Sequence, residues 1–174
     1  MNIKLKIFLI LFLTISINCK EYDKLTEADK QKNAGEKINL VMIESGSYSG
    51  YNESGIVLKV IEDKNSFNEL YRIIHSINLP QPQLPGIDFN TEILLAAFSG
   101  RKPTGGYSID LVNAQLTGNS RLYVEVLTKE PQSGSILTQA VTSPYALASV
   151  KRGDFSEIVF LDRNRDILKK VKIE

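Results

Sequence analysis

The sequence has no tryptophan, one histidine and one cysteine. A single cysteine excludes any internal disulfide, and one cysteine with one histidine excludes zinc sites built on those residue types. A Ser-His-Asp or Cys-His centre needs an imidazole that exchanges protons near neutral pH. The sole histidine, His75, stands beside Ile74 on the flank of a helical apolar stripe and reads as a solvated side chain. Clustered positive charge is lacking too: the formal net charge is +1 with no basic run, which argues against a nucleic acid partner. Gly100-Arg101-Lys102-Pro103-Thr104-Gly105 starts like a phosphate loop, but Gly106-Tyr107 follow where a lysine and a hydroxyl would grip phosphate. Asp162 and Asp166, with Arg163 and Arg165 between them, read as solvating charges of a hairpin rather than a glycosidase pair. This inventory points away from an enzyme and calls for no metal and no cofactor.

The one long apolar run is Ile7 to Ile17, interrupted only by Thr14 and Ser16 and preceded by Lys4 and Lys6. Its length fits the apolar part of an export signal better than a bilayer-spanning helix or a buried core helix. Cys19 follows at once. The stretch Ile15-Ser16-Ile17-Asn18-Cys19 resembles a lipobox, with Asn18 where Gly, Ala or Ser is usual. Spirochaete lipoproteins tolerate such looser boxes. The resemblance implies a signal over residues 1–18, a thioether-linked lipid on Cys19 and anchorage to a membrane. One acyl chain holds only marginally, and two or three hold stably. Without Lys4 and Lys6, 19 basic and 20 acidic side chains remain, a net charge of −1. Residues 20–37 are dense in charge and nearly free of large apolar groups, so residues 19–37 read as lipidated cysteine plus tether. Lys20 lacks the acidic character that retains some lipoproteins at the inner membrane, which favours the outer membrane or cell surface of the cell envelope.

Residues 38–174 read as one globular domain. Ile38 to Ile43 and Ile56 to Ile61 have strand character and are joined by a segment rich in turn formers. Ser66 with Glu69 forms a capping box, and Phe67, Leu70, Tyr71, Ile74 and Ile77 keep the helical spacing. The helix must stop before Pro80. Ile93 to Phe98 is apolar on both faces, as in a central strand covered on both sides. Tyr107-Ile109-Leu111 and Leu122-Val124-Val126 alternate with polar residues and predict a hairpin turning at 117–120. Tyr145 to Val150 predicts a further strand, and Ile158 to Leu161 with Ile167 to Ile173 a second hairpin. The fold class is α+β: a mostly antiparallel β domain with one helix packed on the sheet.

The segment that stands out is Lys102-Pro103-Thr104-Gly105-Gly106-Tyr107, directly after the most buried strand. Pro103 fixes a dihedral, and the two glycines permit positive φ or close backbone approach. Two readings fit: a tight connection between strands, or a rigid loop offered to a partner with Tyr107 as its anchor.

Residues 88–150 resemble the carboxy-terminal domain of the PrcB family, subunits associated with a spirochaetal surface protease complex. The resemblance rests on Ile87-Asp88-Phe89, Phe98-Ser99-Gly100 and Lys102-Pro103-Thr104-Gly105-Gly106-Tyr107-Ser108-Ile109. It continues through Glu130-Pro131, Thr138-Gln139-Ala140 and Ser143-Pro144-Tyr145. It implies a non-catalytic accessory subunit that helps a protease assemble or stay stable, and with the loop reading the expectation is that residues 102–107 bind a protease or another exported protein. Pro103-Thr104-Gly105-Gly106-Tyr107 is also similar to the Pro-Thr-Thr-Gly-Tyr loop of chagasin-type cysteine-protease inhibitors. That similarity implies an alternative, a protease-inhibitor-like or small-ligand-binding lipoprotein.

Overall fold

The computed structural model describes residues 35–173. The signal segment 1–18, Cys19 and residues 20–34 of the tether lie outside the described residues. The first strand, β1, is Glu36–Ile38, so the ordered domain takes in the last two residues of the sequence read as tether. It is followed by β2 (Leu40–Gly46), β3 (Val57–Ile61), the helix α1 (Lys64–Ile74) and β4 (Glu92–Phe98). Then come β5 (Ser108–Thr117), β6 (Arg121–Lys129), β7 (Tyr145–Lys151), β8 (Glu157–Leu161) and β9 (Ile167–Lys172).

The strands form two sheets, not one: a five-stranded sheet in the order β1-β5-β6-β8-β9 and a four-stranded sheet in the order β2-β7-β4-β3. Strand β4 explains the layering. Its alternate residues Ile93, Leu95 and Ala97 face the five-stranded sheet, while Leu94, Ala96 and Phe98 face the helix. All six are at most 1% exposed. A strand covered on both faces has to be apolar throughout, and this one is. The result is three layers, with helix, four-stranded sheet and five-stranded sheet packed in that order around two cores.

Every strand pair is antiparallel except β6 with β8. A parallel pair needs a crossover. Here the chain leaves β6, runs through β7 in the opposite sheet and returns as β8. Both sequence-derived hairpins, β5–β6 and β8–β9, are present. The runs at 38–43 and 56–61 are strands, but β2 and β3 occupy opposite edges of their sheet and do not touch as a pair.

The helix starts earlier and ends earlier than the sequence pattern predicts. Asp63 is the cap: its Oδ1 accepts the amides of Asn65 and Ser66 at 2.9 and 3.0 Å. A carboxylate satisfies two of the unpaired amides of the first turn. Ser66 therefore lies inside the helix, and its hydroxyl donates back to Asp63 Oδ2 at 2.6 Å. At the other end Gly50 N–H donates to the Ile74 carbonyl at 2.8 Å, so the ladder closes there. Phe67, Leu70, Tyr71 and Ile74 form the buried stripe, whereas Ile77 lies beyond the helix and is 58% exposed.

Candidate functional site

Strand directions give the domain two ends. The chain enters at Glu36, opposite Leu116, beside the turn that joins β5 to β6. At the far end of β5 stands Ser108, nine residues or about 30 Å from Thr117 at the usual strand rise. In the other sheet Gly46, Tyr145, Phe98 and Val57 stand in one row at the far end. Four connecting segments therefore gather there: 47–56, 75–79, 99–107 and 130–144.

These segments are fastened to one another. Lys102 and Thr142 exchange two backbone hydrogen bonds, 2.8 and 3.0 Å, as an isolated antiparallel bridge. Thr142 Oγ1 donates to the Thr104 carbonyl at 2.9 Å, and Gly105 N–H donates to the Thr138 carbonyl at 3.0 Å. Ser99 N–H donates to Pro144 and Ser143 N–H to Ser47, each at 2.9 Å. The hydroxyls of Ser49 and Ser143 lie 3.0 Å apart, and Ser143 Oγ donates to the Tyr51 carbonyl at 2.8 Å. Both serines are buried. Their contacts lie with one another and with backbone, so they act as fasteners of the loops.

The residues singled out in the sequence occupy this end. Pro103 and Gly106 are exposed, and Lys102, Thr104, Gly105 and Tyr107 are half-buried. Lys102 Nζ sits 5.2 Å from the Tyr107 ring centre, a cation–π contact that steadies both side chains. Only Gly106 of the two glycines needs its freedom, with φ at +87° and a Cβ position 2.9 Å from Pro131 Cβ.

The sequence did not reveal the apolar surface around this loop. Tyr48, Ile56, Ile77, Leu79, Ile136 and Val141 are exposed, all from three of these connecting segments, 47–56, 75–79 and 130–144. Tyr48, Ile77 and Val141 line a shallow depression of about 260 Å³ together with Arg101 and Thr142. Isolated exposed apolar side chains are ordinary, whereas three of these share one depression. No periodic signal announces them, because they sit in connectors with no repeat to count.

His75 is a correction. It is 5% exposed, not solvated, because the helix ends at Ile74 and the chain turns His75 back under the layer. Its ring lies 4.3 Å from that of Tyr71 and 6.2 Å from that of Tyr145. Glu44 closes the cluster: its Oε1 is 3.1 Å from His75 Nε2 and accepts the Tyr145 hydroxyl. The histidine and the carboxylate are close, but the ring N–H is not aimed to complete a hydrogen bond. Burial and the neighbouring Glu44 carboxylate push the Tyr71 hydroxyl up to about 12, and burial first, then Glu44, raises Tyr145 as well. A charged phenolate would lose solvation and face a second negative group. The cluster holds two phenols beside the imidazole and ties β2, β7 and the end of α1 together.

Residues 93–151 match the family model described as PrcB C-terminal. No curated protein and no solved structure matches the chain. The matched third of the chain runs from β4 through β7 and contains both partners of the 102–107 clasp. Thr138, distant in sequence, accepts from Gly105, and Pro144 of Ser143-Pro144-Tyr145 accepts from Ser99.

Proposed function

From the premise that residues 93–151 form a PrcB C-terminal domain, we propose that the protein is a non-catalytic accessory lipoprotein of the cell envelope. It binds a surface protease, or another exported protein, through the far end of its sandwich. The family association points to a subunit that accompanies a protease complex. The observation that carries the choice of surface is the depression shared by exposed Tyr48, Ile77 and Val141 with Arg101 and with Thr142, the residue that clasps the 102–107 loop. Rigid loops bearing aromatic and aliphatic anchors are the usual makings of an interface centre.

The orientation supports the same reading. A lipid on Cys19 would anchor the chain on the side of Glu36, the end of the domain opposite the 102–107 loop. The loop would then meet partners in the adjoining compartment and not lipid.

The test is recovery of the native chain from its own membranes in mild detergent, with identification of co-purifying proteins. A protease recovered in constant ratio, and lost when Tyr48 and Val141 are replaced by serine in a chain that keeps its melting temperature, supports the reading. Recovery of the same partner with both side chains removed would overturn the choice of surface. Inhibition of a cysteine protease by the purified chain would favour the inhibitor alternative. Loss of membrane association in Cys19→Ser, together with loss of radiolabelled palmitate, tests the anchor separately.

A further inference from the structure

The two sheets of the sandwich end, on the side opposite β1 and β2, in two edge strands: β3 and β9. No strand pairs with the outer side of either among the described residues. An unpaired edge offers a row of amides and carbonyls to any extended chain that reaches it. Between them runs a groove of about 610 Å³. Its floor is three consecutive residues of β3, Lys59 to Ile61. One wall is the α1 stripe Ser66, Glu69, Leu70 and Ile73, and the other is the continuous run of β9 from Lys169 to Lys172. An open strand edge set beside a helix is the arrangement that captures peptides by strand addition.

The geometry of the floor fixes which backbone groups face the groove. Lys169 Nζ donates to the Leu58 carbonyl at 2.7 Å, so that carbonyl points away from β4. Alternation along the strand turns the amide and carbonyl of Val60 the same way, while Lys59 and Ile61 bond to β4. The side chain of Val60 packs between the sheets and that of Ile61 under the helix, so the edge is held rigid from both faces. Charge then selects the occupant. Four lysines line the groove against one carboxylate, Glu69, and an exposed Ile73 supplies an apolar contact on the helix wall.

We propose that this groove takes an extended, acidic segment of a partner protein as a fifth strand beside β3, paired through the backbone of Val60. Residues 20–34 of the chain itself carry as many basic as acidic side chains and join the domain on the opposite side, so they are not the occupant. The surface adjoins the clasped loop end at Tyr51, which lines the groove, but is built from other elements and stands whether or not that end binds a protease.

The test uses the full chain and a blocked synthetic peptide of alternating glutamate and valine, about eight residues long. A second peptide carries the same side chains but N-methyl groups on alternate amides, which keeps its charge and removes its strand edge. Amide hydrogen exchange reads the site. Val60 N–H is expected to exchange fast in the chain alone, to slow at least tenfold with the first peptide, and to be unaffected by the methylated one. A lysine-valine peptide is expected not to bind, and Lys59→Glu with Lys172→Glu to abolish binding of the glutamate peptide while the fold is retained. Equal binding of the methylated peptide would reduce the effect to charge attraction and overturn strand addition. A Val60 amide already protected without peptide, or protected only as the chain self-associates, would overturn it too, as would no binding at all.

Discussion

Glu44 Oε1 lies 3.1 Å from His75 Nε2 while accepting the hydroxyl of Tyr145, so one carboxylate links β2, the end of α1 and β7. A bulge between Met42 and Glu44 makes this contact possible. Leu40 faces the five-stranded sheet, and plain alternation would send Glu44 to that side. The extra residue turns Glu44 toward the helix with Ile43 instead. The Tyr145 ring continues the contact into an aromatic row, since Phe98 stacks on Tyr51 with ring centres 4.1 Å apart and lies 6.5 Å from Tyr145. Removal of the carboxylate strands the buried Tyr145 hydroxyl. Glu44→Ala is expected to cost about 1–3 kcal/mol, and Glu44→Gln, which still offers an acceptor, clearly less. Urea midpoints at neutral pH for the two variants check this, and equal losses would remove the carboxylate's special role.

The same cluster sets an alkaline limit. Tyr71 is raised from its ordinary value near 10 to about 12 by burial and by Glu44. A raised folded-state value contributes stability that is fully present below the unfolded value and lost as the pH climbs through the folded one. In the unfolded chain Tyr71 ionises near pH 10, whereas in the folded chain it stays protonated, so unfolding becomes progressively easier from about pH 10 to pH 12. Tyr145, shifted in the same direction, adds to the slope. Denaturant titrations across that window are expected to show falling stability, and Tyr71→Phe to flatten the fall. Phenolate absorbance rising before the fold is lost would contradict the assignment.

Much of the fold was legible because its strands carry alternation that burial enforces. Ile93 to Phe98 declared a strand covered on both faces, and both hairpins followed from their turn residues. Four things were hidden, for separate reasons. Two sheets look like one in sequence, since alternation reports that a strand has a buried face but not which sheet owns it. The β5 pattern breaks at Val112, where a bulge between Leu111 and Asn113 lets Ile109, Leu111 and Ala114 all face the core. His75 was misread because its burial comes from Glu44 and Tyr145, far away in the chain. The cap moved from Ser66 to Asp63 because both are good caps, and the carboxylate takes two amides where Ser66 would have taken one.

The two glycines of the loop are expected to respond differently. Gly106 has φ at +87°, and a Cβ there would stand 2.9 Å from Pro131 Cβ and 3.1 Å from Leu137 Cδ2. Gly106→Ala is expected to destabilise by about 1–3 kcal/mol through backbone strain and crowding. Gly105 lies outside the positive-φ region, and its nearest neighbour to an added Cβ is Thr138 Cβ at 3.4 Å, an ordinary contact. Gly105→Ala is expected to stay within about 0.5 kcal/mol of the parent. Thermal melts of the pair check the contrast. A tolerated Gly106→Ala would mean that the loop is not held in the conformation described.

Thr142 separates a clasp from a mere connection. Its side chain is 2% exposed, and its hydroxyl donates to the Thr104 carbonyl while its backbone bridges Lys102. Thr142→Val keeps the shape and the backbone bridge and removes only the hydroxyl. The lost hydrogen bond, with a half-buried carbonyl left short of a donor, is expected to cost about 1–2 kcal/mol. The loss should also be local. Gly105 N–H, which donates to Thr138 across the same clasp, is expected to exchange faster with solvent, while amides of β4 and β7 keep their protection. Uniform loss of protection across both sheets would instead make Thr142 a general packing residue and leave loop 102–107 held by its backbone alone.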